Sequence, residues 1–141
     1  MQDRSRNIFT VVQVVAIIAV IWIVFSRPDP WDLQRCVGAV LVIVGVAGIA
    51  AARYELGKSF SFKAEAHQLV TRGVYSKIRN PIYVFGVVMI AGFGLVLHRP
   101  IVWLILPPLI VMQVVRARRE ARVLEASFGD AYRDYRRKTW F

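Results

Sequence analysis

Carboxylates are scarce in this chain and absent from its long apolar runs. Nine Asp and Glu stand against nineteen Lys and Arg, giving a formal net charge of +10. None of the nine lies within residues 8–25, 37–52, 81–97 or 101–115. A proton-coupled exporter needs a carboxylate at membrane depth, so a small transporter is the least favoured reading. A single cysteine, Cys36, excludes an intrachain disulfide and is read as a small packing residue. The sequence offers no cluster with metal-ligand spacing. No recognised nucleic-acid module accompanies the basic residues, so nucleic acid is not an expected partner.

What is abundant is apolar. Hydrophobic residues make up 57% of the 141, with a mean hydropathy of +0.49, too high for a soluble domain of this size. The length allows one domain, 1–141. The first run, 8–25, follows Arg4 and Arg6 as a signal peptide would. It is long for such a segment and no small-x-small cleavage site follows it, so it is read as a retained span. The second, 37–52, carries Gly38, Gly45 and Gly48, which let helix backbones approach closely in lipid. The third, 81–97, opens on Pro81, a good first-turn residue. The fourth, 101–115, contains Pro107-Pro108, which should bend it. At about 1.5 Å per residue the later runs are short for a hydrocarbon core of about 30 Å. The expected fold is all-α, an integral membrane bundle of four transmembrane helices with a cytoplasmic C-terminal helical extension.

Charge supplies the orientation. Arg27, Arg35 and Arg99 lie in the first and third loops; every other Lys and Arg lies at the N-terminus, in the Arg53–Asn80 loop or in the tail. Four crossings place those three segments on one side, and the positive-inside rule makes that side, with both termini, cytoplasmic. The expected location is a bacterial-type inner membrane. The fourth helix should run on to about Ser127, end at Gly129 and be followed by a short amphipathic segment. Polar groups therefore gather before the third span and after the fourth. Since these spans are hairpin neighbours, the two polar segments must meet, forming a face open to the cytoplasm and to the bilayer.

Taken singly, the residues of that face have ordinary explanations. Arg116 and Glu120 are four apart, which fits a solvated helical ion pair worth a few tenths of a kcal/mol. His67 alone fits a surface or capping histidine. Arg72, Arg79 and the tail arginines fit contacts with anionic membrane lipids. Tyr132 and Tyr135 fit interfacial anchors.

In order along the chain, the same residues resemble a family. His67-Gln68-Leu69-Val70-Thr71-Arg72-Gly73-Val74-Tyr75 and Arg79-Asn80-Pro81-Ile82-Tyr83 are similar to the cofactor region of isoprenylcysteine carboxyl methyltransferases and related phospholipid methyltransferases. Glu120, Leu124, Phe128-Gly129, Tyr132 and Tyr135 match that family's closing pattern, and Leu56-Gly57-Lys58-Ser59-Phe60 resembles the segment after its preceding helix. The resemblance implies methyl transfer from S-adenosylmethionine to a lipophilic acceptor: a prenylated thioether acid, a lipid headgroup or a small hydrophobic metabolite. It implies a cofactor pocket lined by His67, Gln68, Leu69, Val70, Tyr75, Asn80, Pro81, Ile82 and Tyr83, with Glu120 holding the cofactor's amino group. Arg116 would face the acceptor and Arg79 would support the polar wall, so Arg116, Glu120 and Arg79 are the candidate catalytic residues. Asn80 stands where the family commonly has His, Ala121 where it has a second Glu, and Gly86 follows Phe85 one place later than usual. Two other classes remain: a non-catalytic module binding anionic lipid or a partner protein, and an NADPH-dependent membrane reductase. The acceptor and the oligomeric state are left open.

Overall fold

The computed structural model describes residues 15, 18, 19, 21–26, 28, 30–56 and 69–141. The expectations for His67, Gln68 and the segment from Gly57 to Phe60 lie outside the described residues. So does most of the expected first span, whose described residues up to Phe25 are helical. Four helices follow: α1 (Leu33–Leu56), α2 (Pro81–Val96), α3 (Ile101–Phe128) and α4 (Asp130–Lys138), with a 3₁₀ turn at Gly73–Ser76. Among the described residues there is no strand, and the fold is all-helical.

The first helix begins four residues before its apolar run. Asp32 caps it, its Oδ1 accepting the Arg35 N–H at 2.7 Å, which satisfies one of the orphan donors of the first turn. Arg35 is therefore helical, not a loop residue as its charge suggested. It is fully buried, lies 4.4 Å from the Trp31 ring centroid and donates to the Val24 carbonyl at 2.8 Å. A cation here packs the end of the first apolar run against α1, around a small core of Val24, Ala39, Val42 and Val96.

The two helices α1 and α2 lie backbone to backbone. A Cβ added at Gly38 would stand 2.8 Å from the Gly92 carbonyl oxygen, and one at Gly92 would stand 2.7 Å from the Gly38 oxygen. Both distances are too short for any side chain, so Gly38 serves the close approach expected of a small residue, with Gly92 as its partner. Farther along, Gly45 faces Met89 and Gly48 faces the ring of Phe85.

Pro81 occupies the first turn of α2, and the helix ends at Val96, one residue short of the expected boundary. After the turn at His98, α3 runs unbroken through Pro107-Pro108 to Phe128. It stops at Gly129, whose φ of +52° favours glycine, and α4 follows at once. Two helices, Leu33–Leu56 and Ile101–Phe128, are long and apolar enough to cross a membrane; the sixteen residues of α2 are apolar but shorter. Large side chains on both long helices face outward, including Ile43, Val44, Leu104, Val111 and Met112. That much exposed apolar surface suits lipid rather than water.

Candidate functional site

The hairpin of α2 and α3 brings polar groups together at one end. Tyr83, in the first turn of α2, donates its hydroxyl to Glu120 Oε1 on the polar half of α3. Arg116 Nε lies 3.4 Å from the same oxygen, and its guanidinium carbon is 5.8 Å from the Tyr83 ring centroid. The helical pair of Arg116 and Glu120 is thus real, but it is not confined to its own helix. Glu120 is bound from two helices at once. Arg116 is more than half exposed, so its share of the attraction is screened to about 1 kcal/mol or less.

The segment before α2 forms a second wall. Leu69 and Val70 are half-buried in the segment leading to the 3₁₀ turn. Tyr75 is buried in that turn, and its carbonyl accepts the Tyr135 hydroxyl at 2.7 Å. Burial raises the Tyr75 phenol well above its ordinary value, with Tyr135, Glu120 and Glu55 adding in the same direction. Burial likewise pushes Tyr135 up to about 12, with help from Tyr132. Tyr132 and Tyr135 are buried and their rings are 6.2 Å apart. Tyr135 therefore clamps the tail onto the turn, and Tyr132 packs beside it.

The end of the tail pairs with the entry to α2. Trp140 N–H donates to the Lys77 carbonyl at 2.7 Å, and the Trp140 carbonyl accepts the Arg79 N–H at 3.0 Å. Asn80 donates twice to the Phe141 carbonyl, from its backbone at 2.9 Å and from its side-chain amide at 3.1 Å. The Asn80 side chain thereby ties the entry of α2 to the end of the tail. Pro81 is buried and Ile82 half-buried. The Arg79 side chain is placed with the tail: it lines an open depression of about 700 Å³ together with Glu125, Asp130, Arg133 and Arg136. There Arg133 bridges Glu125 at 2.9 Å and Asp130 at 3.0 Å.

The structure thus groups Tyr83, Glu120 and Arg116, with Tyr75 nearby, and Arg79 lines the depression beside the tail. Sequence reading missed Glu55, which accepts the Val74 N–H, and the pairing of Trp140 and Phe141 with residues 77–80. Neither leaves a periodic signal, although a carboxylate at the end of an apolar helix was visible.

A family model described as phospholipid methyltransferase matches residues 33–131. The chain belongs to that family. Among curated proteins and solved structures, none matches. Family membership and the two long apolar helices together make it a membrane methyltransferase. The matched residues include the whole Tyr83–Glu120–Arg116 group and stop just short of Tyr132.

Proposed function

We propose that this phospholipid methyltransferase family member uses S-adenosylmethionine to methylate a lipophilic acceptor at the cytoplasmic face of its membrane. The observation that carries the reading is the convergence of Tyr83, Glu120 and Arg116 at the polar end of an apolar hairpin. Their chemistry fits the cofactor, which carries a sulfonium, an ammonium and a carboxylate. Glu120 matches a cation, and Arg116 is exposed enough to release Glu120 and turn toward an anion. When bound, the cofactor supplies an activated methyl group on sulfur.

The protein's own contribution is placement. Glu120 and Tyr83 would hold the cation end, with Leu69, Val70, Tyr75, Asn80, Pro81 and Ile82 along the wall and His67 and Gln68 completing it. Arg116 would orient an anionic acceptor such as a prenylated thioether acid or a phospholipid headgroup. Arg79, held by its backbone to Trp140, would support the polar wall from the tail side. In-line displacement depends mainly on alignment, so holding both partners in register could supply most of the acceleration. A carboxylate acceptor needs no base, whereas an ammonium acceptor must first lose a proton. The topology we propose has four spans, the described helix before α1 being the end of the first, with both termini cytoplasmic and the membrane of bacterial inner-membrane type.

The test is transfer of labelled methyl from S-adenosylmethionine to a membrane lipid extract by purified protein in nanodiscs. Label in the organic phase that disappears with Glu120→Ala and Arg116→Ala is expected. Labelling that persists in both variants would remove these residues from the site. An NADPH-dependent reduction without methyl transfer would move the protein to the reductase class.

A further inference from the structure

The 3₁₀ turn at Gly73–Ser76 is held by two residues far from it in sequence. From α4, Tyr135 donates to the Tyr75 carbonyl. From the last turn of α1, the Glu55 carboxylate accepts the Val74 N–H at 2.7 Å. Gly73, next to Val74, has a φ of +57°, and a Cβ there would collide with that same carboxylate. The turn therefore needs glycine for its backbone and again for its neighbour.

Glu55 is badly placed for its own helix. A negative charge in the last turn faces the negative end of the helix dipole, an unfavourable position. Local propensity does not account for this acid, whereas the contact with the turn does. A carboxylate on a backbone N–H is a charge-assisted bond, stronger than a neutral one. It reaches the turn one residue before the buried Tyr75, whose carbonyl takes the Tyr135 hydroxyl.

We propose that Glu55 is a positioning residue for the cofactor wall. By holding the Val74 N–H it sets where Tyr75 and the chain leading to Asn80 stand relative to Tyr83 and Glu120. The inference rests on the reading that this wall binds S-adenosylmethionine. Glu55 acts through the backbone of the turn, so its loss weakens cofactor binding and spares the chemical step.

The test combines kinetics, binding of S-adenosylhomocysteine and amide hydrogen exchange at Val74 in the full-length protein in nanodiscs. Glu55→Ala is expected to raise the KM for S-adenosylmethionine roughly ten-fold, the loss of one charge-assisted bond. Its kcat should stay within about two-fold, and exchange at Val74 should accelerate. Glu55→Gln keeps an acceptor oxygen and should restore most of the affinity. Gly73→Ala should weaken binding less in the Glu55→Ala background than alone, because the collision is gone. Wild-type binding with an unchanged KM in Glu55→Ala, or a Gln variant as impaired as Ala, overturns the role of Glu55 alone. A fall in kcat with KM unchanged also overturns it. Absence of wild-type binding overturns the cofactor reading and this role with it, while Val74 exchange still reports whether Glu55 sets the turn.

Discussion

The interface of α1 with α2 and that of α2 with α3 are built on opposite terms. The first is apolar and close: Gly38 and Gly92 bring two backbones into contact, and Met89 and Phe85 fill the spaces opposite Gly45 and Gly48. The second is joined near its ends, by Gly94 against Val102 at the turn and by Tyr83, Glu120 and Arg116 at the polar end. In lipid, apolar burial alone does not drive helices together, so packing must hold the first pair and polar contacts can hold the second. The difference separates scaffold from site. A close-packed pair fixes one wall, while contacts between flexible side chains can be exchanged for those of a ligand.

Breaking the scaffold should have the largest effect. Gly38→Val places a side chain against the Gly92 carbonyl and the Val96 backbone nitrogen, both 2.8 Å from the new Cβ. Neither can move aside cheaply, so a loss of about 3 kcal/mol or more is expected, seen as failure to purify as a single folded species. Normal folding of that variant would contradict the backbone contact. A smaller effect should follow at the tail clamp. Tyr135→Phe leaves the buried Tyr75 carbonyl without its donor and should cost about 1 to 2 kcal/mol in thermal unfolding in detergent. An unchanged midpoint would mean that Tyr135 serves packing only.

The smallest effect lies at the opposite end, where Asp32 caps α1 and its Oδ2 lies 3.1 Å from His98 Nε2. The bond from the Arg35 N–H, followed by that from His98, holds the Asp32 carboxyl below its ordinary value of 3.8. A depressed carboxylate stabilises the fold above its unfolded value and loses that contribution as pH falls through the folded value. Thermal midpoints measured from about pH 6 down to about pH 3 should therefore fall less steeply in Asp32→Asn than in wild type. Parallel curves would show that the cap is not felt at this end.

Helix ends were legible where a residue has one conformational use. Pro81 opens α2 and Gly129 closes α3, each where its backbone preference put it. The start of α1 was missed because Arg35 reads as a loop charge. Only its burial against Trp31 and Val24 shows that a cation can stand inside the first turn. At the site, the spacing of Arg116 and Glu120 was readable from helical periodicity, but the third member, Tyr83, comes from another helix. Glu55 and the pairing of Trp140 with Lys77 and Arg79 depend on contacts between distant segments, which no local pattern encodes. Tyr135 of α4 was ambiguous for a related reason. An interfacial anchor and a buried clamp look alike until the partner, here the Tyr75 carbonyl, is known.

The central claim is that Glu120, bridged to Tyr83 across the hairpin, is the cation-binding group of a methyltransferase pocket. Calorimetric titration of purified, detergent-solubilised protein with S-adenosylhomocysteine tests it most directly, beside Glu120→Ala and an NADPH control. The account predicts saturable binding by the wild type, loss of that binding in the variant and no binding of NADPH. Folded wild-type protein that fails to bind S-adenosylhomocysteine, in detergent and in nanodiscs, would contradict it.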